Sequence, residues 1–156
     1  MEIQQIDFGP RKYLVFRKAM PTDRVSDAKM YDRAFYKLST YMKEHQAEAD
    51  GPGSVIYFGW DEENHQADVG MAFPVKGLEE VNDPELSLLD VPRIKAVVGV
   101  HTGTYEDLKE SHASIWKYIM DHQLDYAHLA IEEYVTDPLK VSAPEDLITK
   151  IYYLYK

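Results

Sequence analysis

The chain contains no cysteine. Disulfides, thiolate nucleophiles, cysteine-ligated zinc and thiolate-held iron–sulfur clusters are therefore excluded. Basic charge is also scarce: 17 Lys and Arg stand against 27 Asp and Glu in 156 residues, a formal net charge of −10. No run of Lys or Arg occurs, so no face is expected to neutralise the phosphates of nucleic acid or of an anionic membrane. Long apolar runs are missing too. Stretches such as Tyr13-Leu14-Val15-Phe16 and Ala96-Val97-Val98 fall far short of the roughly 20 residues a membrane helix needs. The first residues, Met1-Glu2-Ile3-Gln4-Gln5, have neither the basic patch nor the apolar stretch of a secretory signal. The expectation is a soluble, cytoplasmic protein with no nucleic-acid partner, no membrane partner and no cofactor.

Several common chemistries are absent as well. The histidines are His45, His65, His101, His112, His122 and His128, and none makes the i, i+4 pair that turns two imidazoles to one metal. His112 and His122 are about three helical turns apart, so no metal site is expected. Gly51-Pro52-Gly53 is a turn with no following Lys-Ser/Thr, and no glycine-rich phosphate cradle occurs. No serine sits in a nucleophile elbow, and no basic recognition helix is present.

What is present is a core. Hydrophobic residues make up 45% of the chain and aromatics 12%, enough for a folded domain. Alternation predicts a strand over 12–18, ended by Met20-Pro21. Ser26 reads as a helix cap before Met30, Ala34, Leu38, Tyr41 and Met42, which recur at helical spacing to about His45. Strands are predicted over 54–60 and 68–75. The second half repeats the order: a strand over 93–101, a Thr104–Asp107 capping box, a helix to about His122, a strand over 129–136 broken at Asp137-Pro138, and a final strand over 148–155.

The repeat is visible residue by residue. Tyr41-Met42-Lys43-Glu44-His45-Gln46 matches Tyr118-Ile119-Met120-Asp121-His122-Gln123, an offset of 77 that also sets Tyr57 on Tyr134. An offset of 80 sets Met71–Val75 on Ile151–Tyr155. The expected fold is α+β: two strand–helix–strand–strand modules, about 1–76 and 92–156, related by a pseudo-twofold and forming one antiparallel sheet with two helices on one face. Residues 77–91, with Glu79, Glu80, Asp83, Glu85 and Asp90, read as a solvated linker or an acidic rim.

One segment departs from ordinary strand composition. In Glu132-Glu133-Tyr134-Val135, alternation puts Glu132 and Tyr134 on one face and Glu133 and Val135 on the other. One acid is expected in solvent, and the other in a central strand, able to point into a cavity. A buried carboxylate needs compensation, from a cationic ligand or from phenol hydroxyls. The chain has 12 tyrosines, and Tyr152 and Tyr57 are candidates for flat walls that favour a planar cation. The other reading keeps the tyrosines in packing and both glutamates on the surface.

Val100-His101-Thr102-Gly103-Thr104-Tyr105, then a helix, then Glu132-Glu133-Tyr134-Val135-Thr136-Asp137-Pro138, then Thr149-Lys150-Ile151-Tyr152 resembles the GyrI-like small-molecule-binding domain, also found attached to AraC-type and MerR-type regulators. The resemblance covers nearly the whole chain. It implies a cleft between two modules that takes bulky aromatic cations. It assigns the ligand-charge role to Glu132 and matches Tyr134 and Tyr152 to the pattern's tyrosines. Tyr57 follows from the internal repeat, and Trp60 and Trp116 complete the candidate walls. The sequence departs from the pattern at Thr104, Lys150 and Tyr118. The expected function is a stand-alone binder of a hydrophobic or cationic small molecule. Two alternatives stay open: a hydrolase of strained electrophiles with Glu132 as base and Tyr134 or Tyr152 as proton donor, and a gyrase-inhibitor-like module whose acidic residues 79–90 engage a basic protein.

Overall fold

The computed structural model describes residues 1–137 and 140–156, so the expected break at Pro138 lies outside the described residues. The elements are β1 (Ile3–Phe8), β2 (Arg11–Pro21), α1 (Ala28–Glu44), β3 (Glu48–Ala49), β4 (Ser54–Asp61), β5 (Gln66–Lys76), β6 (Leu86–Val91), β7 (Ile94–Thr102), α2 (Leu108–Asp121), β8 (Tyr126–Tyr134) and β9 (Ile148–Tyr155). The fold is α+β, and the strand pairs within each unit below are antiparallel.

Two compact units result. One is Pro10–Pro92; the other joins Met1–Gly9 to Arg93–Lys156. The first orders its strands β6-β2-β5-β4, with β3 on β5. The second orders its strands β1-β7-β9-β8. Each is thus a strand–helix–strand–strand module with an added strand, β6 beside β2 in the first and β1 beside β7 in the second, and the first also carries the short β3 on β5. The register carries the sequence repeat into space: Val55 lies opposite Met71 as Glu132 lies opposite Ile151.

The module boundaries differ from those expected. Residues 1–9 belong with 93–156, because β1 pairs with β7. Ile3 packs toward α2, and Gln5 bridges the hydroxyls of Tyr118 and Tyr155 at 3.1 and 2.8 Å. Residues 77–91 are not only a linker, since Leu86–Val91 pairs with β2. Their acids are partly tied down: Glu79 meets Lys12, and Asp83 and Glu85 meet Lys37.

Both helices bury the stripe expected of them, Ala34, Leu38, Tyr41 and Met42 in α1 and Leu108, Ile115 and Ile119 in α2. The caps differ. Asp27, not Ser26, caps α1 by accepting from the Lys29 amide at 3.0 Å. The Thr104 hydroxyl donates to the Asp107 carboxylate at 3.1 Å rather than serving first-turn amides, and a 3₁₀ turn over Tyr105–Asp107 leads into α2.

The C-termini of the helices are copies of each other. His45 stacks on Tyr41 and His122 on Tyr118, both at 19°. Gln46 and Gln123 are left-handed, φ 53° and 54°. The next amides reach back to Met42 and Ile119 at 2.9 and 3.0 Å, the closing bond of a Schellman turn.

Candidate functional site

The site is built on the helix-facing side of the unit that holds α2. Side chains alternate along β8. Ala130, Glu132 and Tyr134 share a face, and their partners on β9 are Tyr153, Ile151 and Thr149. Ile151 and Tyr153 pack with Ile115 and Ile119, so this face lies under α2. Glu132 therefore points at the helix, where it is 4% exposed.

His112, early in α2, meets it. Its Nε2 is 2.5 Å from Glu132 Oε2, and its Nδ1 is 2.7 Å from the Tyr153 hydroxyl. The Tyr134 hydroxyl donates to Glu132 Oε1 at 2.7 Å. A continuous chain results: Tyr153, His112, Glu132, Tyr134. Tyr105 stands edge-on to Tyr134 at 5.5 Å.

An aromatic wall continues to the surface. Trp116, one turn beyond His112, is edge-on to Tyr126 at 5.4 Å and 80°. Tyr126 in turn lies 5.5 Å from Tyr153. Trp116 is 43% exposed, so one end of the wall is wet and the other reaches the buried carboxylate.

Burial pushes the Tyr126 phenol up to about 12. Burial also raises Tyr153, with Tyr126 and Glu132 adding to it. Tyr105 is raised by burial and then by Asp137 and Glu132. These phenols therefore remain protonated at neutral pH and act as hydrogen-bond donors. Among the described residues no group of three His, Asp or Glu is placed to hold a metal ion.

The sequence-predicted residues separate into three sets. Glu132, Tyr134 and Trp116 belong to this cluster. Tyr152 does not: alternation puts it on the other face of β9, against Phe8 at 5.0 Å, and its neighbour Tyr153 takes the position beside Glu132's histidine. Tyr57 and Trp60 lie in the Pro10–Pro92 unit, 6.1 Å from each other. There Tyr57 packs against Met20, Val25, Ala67 and Val69, and Trp60 donates to Glu62 at 2.8 Å. The expectation that one of the paired acids is solvated is also corrected. Glu133, opposite Lys150, is only 8% exposed.

Sequence reasoning missed His112, Tyr153, Tyr126 and Thr149. The signal was in the repeat. The offsets of 77 and 80 place Phe35 at the position of His112, Val55 at Glu132, Phe73 at Tyr153 and Val69 at Thr149. The geometry agrees, with Phe35 and Phe73 rings 5.5 Å apart and His112 and Tyr153 rings 5.6 Å apart. The same module therefore folds around an apolar set in one unit and a polar set in the other. Thr149 Oγ1 is buried without a hydrogen-bond partner, an uncompensated cost where Val69 has none. A shallow depression of about 600 Å³ lies elsewhere, lined by Pro10–Lys12 and Asp90–Pro92, and contains none of these groups.

A family model for the GyrI-like small molecule binding domain matches residues 1–156. The chain belongs to the GyrI-like small-molecule-binding family. Solved structures share the GyrI-like fold at low identity. The EcmrR C-terminal domain superposes with a TM-score of 0.76 at 16% identity, over 99% of this chain and 97% of that one. EcmrR in its DNA complex gives 0.82 at 14% identity over 99% of this chain, which spans 57% of that protein. SAV2435, solved with tetraphenylphosphonium bound, gives 0.66 at 14% identity over 100% and 94% of the two chains. A hydrolase from Listeria innocua gives 0.64 at 13% identity, over 99% and 92%. No curated protein matches the chain. This GyrI-like domain thus shares its fold with the EcmrR C-terminal domain, and no helix among its described residues is long and apolar enough to cross a membrane.

Proposed function

We propose that this GyrI-like domain binds a bulky, aromatic organic cation, with Glu132 supplying the charge and Tyr134, Tyr126 and Trp116 the aromatic surface. The observation that carries this reading is the internal comparison. A buried carboxylate stands at Glu132 where the other copy of the module has Val55, so the fold does not require it. A desolvated carboxylate is costly, and aromatic faces beside it attract an organic cation through charge and cation–π contact. The tetraphenylphosphonium bound by SAV2435 supplies a probe of this chemistry.

The test is a calorimetric or fluorescence titration with tetraphenylphosphonium and with neutral triphenylphosphine oxide. Glu132→Gln is expected to weaken the cation about tenfold or more, as removal of a desolvated charge partner does, and to leave the neutral probe nearly unchanged. Equal losses for both probes would remove Glu132 from the ligand's charge recognition.

A hydrolytic reading has one observation in its favour. A phenol held protonated, Tyr153, is linked through His112 to a carboxylate, which places a proton donor and an acceptor in one chain. Incubation with strained electrophiles and product analysis decides it: more than one equivalent of hydrolysed product supports turnover, and none counts against it.

A further inference from the structure

We propose that His112 is a proton-operated counter-cation for Glu132, so that uptake of a permanent organic cation at this carboxylate releases one proton from the protein. The inference deepens the reading just given and rests on it. Glu132 is buried beneath α2 with an imidazole nitrogen 2.5 Å from one oxygen and a phenol 2.7 Å from the other. A permanent cation that comes against this carboxylate meets a position already taken. Two positive charges do not share one desolvated carboxylate without a Coulomb cost. Imidazolium, unlike Lys or Arg, has a way out near neutral pH: it gives up a proton and becomes a neutral ring. The imidazole nitrogen left with a lone pair then accepts from the Tyr153 hydroxyl, which burial keeps protonated. The exchange balances in charge. A protein carrying one proton on His112 takes in one cation and yields one hydrogen ion to solvent.

The surroundings suit this role. Glu132 and Tyr134 face His112 from β8 and Tyr153 faces it from β9. Tyr105 stands beside Tyr134, and its phenol senses Asp137 and Glu132. Tyr126 and His128 lie beyond Tyr153. His101 on β7 is engaged by the Ser111 hydroxyl at 2.7 Å and the Thr104 carbonyl at 2.9 Å. On α2 itself the residues one turn away are Leu108, Lys109, Ile115 and Trp116, of which Lys109 is the charged one and is exposed. In the other unit the equivalent position is Phe35, which cannot titrate.

Tetraphenylphosphonium tests the proposal because its own charge does not change with pH. Its affinity for the wild-type domain is measured between about pH 5 and about pH 8, by calorimetry in buffers of different ionisation enthalpy. On the acid side of the imidazole's titration, affinity is expected to rise about tenfold per pH unit, with release of about one proton per cation bound. His112→Asn is expected to bind with a flat profile over the same range and with no proton release. His112→Phe, the residue found in the other unit, serves as the second variant, and both are checked by thermal melting. Protonation of Glu132 would also give a slope, but that slope would survive in His112→Asn. A slope that persists in both variants, or wild-type binding without proton release, overturns the proposal while Glu132-dependent binding still stands. Binding that Glu132→Gln leaves unchanged, or no binding, removes the cation reading and this device together.

Discussion

A carboxylate with 4% of its surface exposed needs partners, and Glu132 has them in His112 and Tyr134. The unit built on α1 shows what the same positions look like without that need: Val55, Phe35 and Phe73. Exchange of a buried ion pair for well-packed apolar residues is often neutral or stabilising, whereas loss of one partner costs about 3–5 kcal/mol. The triple variant His112→Phe, Glu132→Val, Tyr153→Phe is therefore expected to melt at or above the wild-type temperature and to lose tetraphenylphosphonium binding. His112→Phe alone is expected to melt lower. Thermal melting checks both, and a triple variant as unstable as the single one would make the network structural. The Glu132–Glu133 pair stood out in the sequence because a paired acid inside a strand breaks the ordinary pattern, and it was the family resemblance that singled out Glu132 and Tyr134. His112 did not stand out, because nothing local in an amphipathic helix separates a half-buried histidine from an exposed one. Tyr152 and Tyr153 show the limit of a strand read alone: a one-residue difference in facing exchanges a wall of the site for a contact with Phe8.

At the scale of elements, the start of α1 distinguishes two adjacent candidates. Ser26 and Asp27 are both good cap residues, and only the backbone geometry chooses. Asp27 has extended φ/ψ, −73° and 106°, and its carboxylate accepts from Lys29. Asp27→Ala is expected to lower stability by about 1 kcal/mol in denaturant titration, and Ser26→Ala to leave it nearly unchanged. The reverse order would return the cap to Ser26. The helix stripes and most strands were legible because their periodicities are strong. The edge strands β1 and β6 were not, because Leu86-Ser87-Leu88-Leu89-Asp90-Val91 alternates imperfectly and its pairing with β2 comes from tertiary placement. The β8 start was misplaced for a similar reason. A register shift between Tyr126 and Ala130, with His128 at φ 58°, extends the ladder upstream of the regular alternation.

At the scale of the whole molecule, charge is divided between the units in a way that the net −10 conceals. The carboxylates held below their usual range are Asp61, by Asn64; Asp68, by Arg17; Asp83, by the Glu85 amide and Lys37; and Glu85, by Lys37. All lie in Pro10–Pro92. Tyr105, Tyr126, Tyr153 and Tyr155, four phenols raised by burial, lie in the other unit. A depressed carboxylate stabilises the folded state above its unfolded value, about 4, and that contribution is lost as pH falls through the folded value. A raised phenol stabilises below about 10, and its contribution is lost as pH climbs through the folded value, which for Tyr126 is about 12. The Pro10–Pro92 unit is thus expected to loosen first in acid, and the α2 unit to lose stability in alkali as these four phenols ionise. The chain has two tryptophans, Trp60 and Trp116, one in each unit. Trp116→Phe leaves Trp60 to report the acid transition, and Trp60→Phe leaves Trp116 to report the alkaline one, each through its emission maximum. If both tryptophans shift together at both ends of the pH range, the two units unfold as one, and the division of pH sensitivity between them does not hold.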